Sequence, residues 1–157
     1  MMRRGRRWSI VALVLVMALA VSVYPLTAAP APGTPYKLGF ISSVTGPGAS
    51  LGTPERDVAR IIQERIAAEG GVTGPDGVRH DVQFLIFDDA SRPDTAAGLV
   101  RRLIEQERVT VLVAGTLSGA SLAMVPIASE ARTPMISMAS ARAIIEDPQT
   151  KRMRPWV

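Results

Sequence analysis

Three short segments carry the side chains that could meet a ligand: residues 42–51 (SSVTGPGASL), 115–121 (GTLSGAS) and 137–141 (SMASA). They are rich in Ser, Thr, Gly and Ala and lack titratable groups. Hydroxyls and a closely approachable backbone are what a binding site needs, whereas acid-base catalysis needs groups that titrate. Ser118 is the most specific of these residues. It follows the apolar run 109–114 and stands at the predicted N-cap of the next helix, where its hydroxyl and the free backbone N–H groups of 119–121 would cradle a carboxylate. The same place lets Ser118 cap its own helix and nothing more, and the pattern alone leaves both roles open.

Enzymatic patterns fail on spacing. A nucleophile elbow requires Gly-x-Ser-x-Gly, but in Gly115-Thr116-Leu117-Ser118-Gly119 the serine comes one position late. The single histidine, His80, reads as a solvated turn residue beside Asp81. Gly46-Pro47-Gly48-Ala49-Ser50-Leu51-Gly52 imitates a dinucleotide fingerprint, yet Leu51 stands where the pattern wants glycine, and Asp88 comes too late to serve as the ribose acid. Asp88 and Asp89 could ligate a metal, but they read better as acids flanking the N-terminus of the helix opened by Pro93. No cofactor and no metal are expected.

The elements that must position these segments alternate. Residues 37–42, 82–87, 109–114 and 134–138 read as strands, and amphipathic runs lie between them. The first helix is predicted to start with Thr53 as N-cap and Pro54 at its first position, to bury Val58, Ile61, Ile62 and Ile66, and to stop at Gly70-Gly71. A second opens at Pro93 and buries Ala96, Val100, Leu103 and Ile104. A third follows Ser118, with Leu122, Val125, Ile127, Ala128 and Ala131 toward the core. Strand-helix-strand repeated three times implies parallel pairing, and the predicted fold class is α/β, an open, mostly parallel sheet with helices on both faces. In such sheets ligands collect beyond the carboxyl ends of the strands, where all three Ser/Gly segments fall.

The chain has 157 residues, 18 Lys plus Arg against 14 Asp plus Glu, and a formal charge of +4. The excess sits in Arg3, Arg4, Arg6 and Arg7, since residues 36–157 carry 14 basic and 14 acidic side chains. A nucleic-acid partner therefore has no support. These arginines precede an apolar run at 8–23, followed by an Ala/Pro-rich stretch, which is the layout of an export signal. Residues 1–29 read as that signal, with cleavage after Ala20 or Ala28, and 30–36 as a Pro-rich linker. At about 16 residues the run is short of the roughly 20 that span a bilayer. The absence of cysteine excludes a disulfide scaffold, a thiol nucleophile and a Cys-ligated zinc.

The stretches SSVTGPGASLG (42–52), AAEGGVTG (67–74), LIFDDASRPDTAA (85–97), RRLIEQERVTVLVAGTLSGAS (101–121) and PIASEARTPMISMASA (126–141) share their order and spacing with one family. Residues 37–157 resemble the first part of the periplasmic solute-binding proteins of leucine/isoleucine/valine type. The resemblance implies a non-catalytic, two-lobed receptor, monomeric when intact, that holds an amino acid or similar solute and hands it to the membrane permease of an ABC transporter. It places the ligand carboxylate at Ser118 and Gly119, the ammonium at the level of Ala139, Ser140 and Ala141, and the side chain of Leu51 against the ligand. Gly119 and Ala141 stand where many members carry hydroxyl residues, so amides, short peptides, urea-like and aromatic solutes stay open beside aliphatic amino acids. The family continues through a second lobe, so 37–157 would be an incomplete first lobe. A ligand-sensing receptor of the same fold is the alternative, ahead of a secreted α/β hydrolase.

Overall fold

Residues 33–157 are described by the computed structural model; the export signal and the first part of the linker lie outside the described residues. The elements run β1 (Gly33–Ser42), α1 (Ala49–Ala68), β2 (Val72–Thr73), β3 (Arg79–Asp88), α2 (Pro93–Glu105), β4 (Val111–Ala114), α3 (Ser118–Glu130), β5 (Met135–Ser137) and α4 (Arg142–Ile145). The sheet order is β2-β3-β1-β4-β5. β3, β1, β4 and β5 are mutually parallel, with Leu38 opposite both Phe84 and Val111, while β2 runs antiparallel to β3. The chain thus leaves β1 toward β3 on one side and returns across it to β4 on the other. The crevice between the carboxyl ends of β1 and β4 is the topological switch point.

Alternation along the strands sends successive side chains to opposite faces. Ile41, Leu112, Ala114 and Met135 pack with Ala96, Val100 and Leu103 of α2 and with Ala120, Met124, Val125 and Ala128 of α3. Gly39 brings β1 close to this layer, since a Cβ there would meet Leu112 and Leu103 at 2.8 and 2.9 Å. α1 covers the other face over β1 and β3, and its Gln63 side chain accepts the Phe84 N–H at 2.8 Å.

β1 starts at Gly33, inside the stretch expected as linker. Pro35 is tolerated because the pairing with β3 shifts register between Gly33 and Tyr36, where its missing N–H breaks no ladder bond. α1 begins at Ala49, not after Thr53, so Pro54 lies inside the helix. The carbonyl left without a partner belongs to exposed Ser50, where water can satisfy it. The expected buried face of α1 is also corrected. Only Gly52 and Ala59 are buried, and Val58, Ile61 and Ile62 face outward, Ile61 at 63% exposure. Leu122 of α3 is likewise exposed. β5 is not a bare edge, because the Met135 N–H donates to the Trp156 carbonyl at 2.8 Å.

His80 is not a solvated turn residue. It sits on β3, only 7% exposed, stacked on Tyr36 with ring centroids 4.6 Å apart. Its Nδ1 lies 2.8 Å from the Thr34 carbonyl and its Nε2 3.0 Å from Asp76 Oδ2. An acceptor faces each ring nitrogen, and the Thr34 carbonyl and then the Asp76 carboxylate raise the pKa above the ordinary histidine value against the effect of burial.

Candidate binding crevice at the carboxyl ends of β1, β4 and β5

The parallel register delivers the three Ser/Gly segments to one edge of the sheet, because β1, β4 and β5 all point the same way. Side chains then lock the loops together. The loop after β1 wraps the Asp88 carboxylate. Val44 N–H and Ala90 N–H each donate to Oδ1 at 2.8 Å, Thr45 N–H donates to it at 3.2 Å, and the Thr45 hydroxyl donates to Oδ2 at 2.7 Å. Burial pushes this carboxyl up, but the Thr45 hydroxyl and the backbone donors outweigh it, and the net pKa lies below the ordinary value. Asp89 is fully buried and accepts the Ser43 hydroxyl at 2.7 Å and the Ser91 N–H at 2.8 Å. Its other oxygen has no partner in the structure. Both acids therefore fasten loops, where a dipole role at the helix opened by Pro93 was expected.

Ser118 is the first residue of α3, and the N-cap is Leu117 in an extended conformation with no side-chain cap bond. Because Ser121 N–H already donates to the Leu117 carbonyl, the N–H groups of Ser118, Gly119 and Ala120 are the ones left without helical acceptors. Ser118 is half-buried and Gly119 exposed. Gly119 is not demanded by packing, since a Cβ there would meet only Pro93, at 3.7 Å. A relay of hydroxyls supports this helix end. Ala139 N–H donates to Ser137 Oγ at 3.1 Å, Ser137 and Ser121 share a bond of 2.9 Å, and the Ser121 hydroxyl reaches the Gly115 carbonyl at 3.1 Å.

Of the other expected site residues, Ala141 is the extended N-cap of α4, Ala139 and Ala141 pack on the core cluster, and Ser140 is exposed with no partner among the described residues. Leu51 is not in a loop. It lies in the first turn of α1, 56% exposed. Gly48 and Leu117 approach each other across the crevice, where a Cβ added to Gly48 would fall 3.2 Å from the leucine side chain. The structure therefore brings the Leu51, Ser118 and 139–141 segments to the same strand ends.

One residue at the crevice, Glu55, is not marked by the sequence. Thr116, 6% exposed, accepts the Ser43 N–H at 2.9 Å and donates its hydroxyl to Glu55 Oε2 at 2.5 Å. Glu55 comes from α1, one turn beyond Leu51. In sequence it is one more charge on an amphipathic helix, and only the close seating of α1 shows where it goes. Gly52 permits that seating: a Cβ there would stand 2.1 Å from the Ser43 carbonyl oxygen. An open groove of about 440 Å³ borders these loops, lined by Val44 and Asp88 together with Arg56, Arg60, Phe84 and Ile86.

A family model described as periplasmic binding protein matches residues 35–157. The chain belongs to the periplasmic binding protein family. Within that family it is of the Leu/Ile/Val-binding type, with solute-binding proteins rather than enzymes around it. Leu/Ile/Val-binding protein homolog 7 of Brucella abortus (strain 2308) is 32% identical over 130 residues, covering 82% of this chain and 31% of that protein. The substrate-binding protein LivJ of Streptococcus pneumoniae, solved with isoleucine, superposes with a TM-score of 0.64 at 30% identity, over 71% of this chain and 31% of LivJ. A solute-binding protein of an ABC transporter from Rhodopseudomonas palustris BisB5, solved with 3,4-dihydroxybenzoic acid, gives 0.59 at 30% identity, over 71% of this chain and 29% of that one. These matches bear out the α/β class and the non-enzymatic reading. This periplasmic binding protein chain spans about a third of the length of the curated relatives it matches.

Proposed function

We propose that residues 37–157 are the first part of the N-terminal lobe of an exported receptor that binds an amino acid or related small solute and delivers it to an ABC-transporter permease. The observation that carries this reading is the uncapped N-terminus of α3 at the switch point. Its free N–H groups and the Ser118 hydroxyl form an anion cradle, beside Leu51 and the 139–141 segment. The isoleucine of LivJ and the dihydroxybenzoate of the R. palustris protein both carry a carboxylate, which fits such a cradle. In the family's two-lobed arrangement a second lobe would close over the solute and monomeric receptors would dock on the permease, with residues 37–157 supplying one wall of the site.

The test is an amide-resolved NMR titration of the chain with L-leucine and with 3,4-dihydroxybenzoate to tens of millimolar. Shifts should concentrate at Leu51, 118–121 and 139–141, and Ser118→Ala should weaken them. Shifts spread over the surface, or none at the crevice, would overturn the assignment. Mass spectrometry of the exported protein should find a mature N-terminus after Ala20 or Ala28. Retention of the apolar run would favour a membrane-anchored sensing receptor instead.

A further inference from the structure

β3 is an open edge over most of its length. β2 pairs only with Arg79 and His80, so from Asp81 to Asp88 no strand of the described residues lies on the outer side of β3. The Phe84 N–H points to that side, since it donates to the Gln63 side chain of α1 at 2.8 Å. N–H groups along a strand alternate between its two edges, so the Ile86 N–H and the carbonyls of Phe84 and Ile86 face the same way. Gln63 thus supplies at one position the acceptor that a neighbouring strand would supply, and among the described residues it is the only side chain bonded to this stretch of edge. Unpaired edge groups of this kind are a template for another extended chain.

Arginines flank the edge on both faces. On the α1 side, Arg56 and Arg60 line the groove of about 440 Å³ together with Phe84 and Ile86. Arg60 is exposed and makes no ion pair among the described residues. Arg56 is held in place by Asp57, with its Nε and one terminal nitrogen on Oδ1 at 2.9 and 2.7 Å. On the α2 side, the Arg102 guanidinium lies over the Phe87 ring, 5.0 Å from its centroid. The acids nearby are already engaged: Asp57 by Arg56, Glu107 by Lys37 and Arg102 at 3.9 and 3.7 Å, and Asp88 by the four donors of the loop after β1. A second copy of this edge would bring like charges together, whereas an acidic strand would meet opposite ones.

We propose that the edge of β3 from Phe84 to Asp88 is a docking site for an extended acidic segment of a partner protein, which adds a strand to the sheet and sets its carboxylates against Arg60 and Arg56. Main-chain pairing to Phe84 and Ile86 supplies the attachment, and the arginines supply the choice of partner. The groove ends at Val44 and Asp88, on the loop that borders the crevice, so the docked segment lies beside the solute site. The site does not depend on which solute the crevice takes.

The experiment follows amide shifts and hydrogen exchange of the chain with three peptides at millimolar concentration. They are acetyl-Glu-Val-Glu-Val-Glu-amide, its lysine counterpart, and the acidic peptide with every backbone N–H methylated, which keeps the carboxylates but donates to no strand. The first should shift residues 82–88 and 56–63 and slow exchange of the Ile86 N–H, and the other two should bind about tenfold more weakly or not at all, the scale of one hydrogen bond to a charged group. Arg60→Glu should reverse the preference toward the lysine peptide, and Arg60→Gln should only weaken it. Arg60 is exposed, so neither change threatens the fold, and an unchanged melting temperature checks this. Equal binding of the acidic and lysine peptides, or a preference that survives Arg60→Glu, would overturn the choice of partner. Equal binding of the methylated peptide, or shifts away from β3, would overturn the strand addition. None of these results bears on the solute site, which the titration with L-leucine reads separately.

Discussion

Replacing Gly52 with alanine tests whether α1 is seated on the end of β1 as closely as the structure requires. The added methyl group would stand 2.1 Å from the Ser43 carbonyl oxygen, 2.4 Å from its carbon and 2.7 Å from its nitrogen. All three are backbone atoms, so no rotamer change relieves the clash. Restoring ordinary contact, which begins near 3.4 Å, needs α1 to retreat by more than about 1 Å. Overpacking of this kind costs about 1–3 kcal/mol, and a backbone obstacle puts it at the upper end. Alanine recovers about 1 kcal/mol of helix propensity, leaving a net loss of about 2 kcal/mol. Gly98 in α2 is the control, since a methyl group added there would find nothing within 4 Å. There only the propensity gain of about 1 kcal/mol operates. At about 4 °C per kcal/mol for a body of this size, thermal melts by circular dichroism should place Gly52→Ala about 8 °C below wild type and Gly98→Ala about 4 °C above it. A Gly52→Ala protein that melts at or above wild type would refute the close seating of α1, and with it the placement of Glu55 against Thr116.

Other expectations follow from single sites. Leu103→Ala empties a fully buried position between α2 and Gly39 of β1 and should cost about 3 kcal/mol in urea denaturation. Gly115→Ala combines a φ of +86° with a Cβ 2.0 Å from Ser121 Oγ, so it should cost about 2 kcal/mol and disrupt the Ser121–Ser137 relay, visible as altered amide shifts at Ala139. The His80 pKa is raised on folding, so its contribution to stability is complete below about pH 6.5 and fades as pH rises through the folded pKa. Asp76 is shifted the other way, by the Val78 N–H and then by His80, so its contribution is present above about pH 4 and fades as pH falls through its lowered folded pKa. The pair should therefore give a stability that declines from pH 6 toward pH 8, a slope that His80→Phe abolishes. Because His80 is the single histidine, its ring proton signal titrates without ambiguity.

Much of this architecture is legible in the residues. The strand cores at 37–42, 82–87 and 109–114 stand out as apolar runs, and the Ser/Gly segments after them mark the crevice. What escaped did so for physical reasons. Pro54 looks like a helix start because proline suits that position, yet Gly48 initiates the helix and exposed Ser50 tolerates the lost bond. Val58, Ile61 and Ile62 have the spacing of a buried face, but periodicity reports only that a face is apolar, and nothing within 33–157 covers it. On the sheet, Ile136 of β5 is similarly bare, at 61% exposure. His80 seemed a turn residue because its partners, Thr34 and Asp76, lie on different elements. Glu55 could be placed in the crevice only once Gly52 had brought the helix onto β1.

The central position of β1 bears on how the chain acquires its structure. The first strand of the described chain pairs with two later ones, and its end is tied to Asp89 and Thr116 across 46 and 73 residues. The first parallel pair, β1 with β3, closes only once residue 88 is available, and the second, β1 with β4, only after residue 114, and such long loop closures slow folding. A polypeptide that stays open until its later strands arrive is well suited to being threaded through a translocation channel before it folds. The crevice is complete only when β4 has docked against β1 and Thr116 meets Glu55.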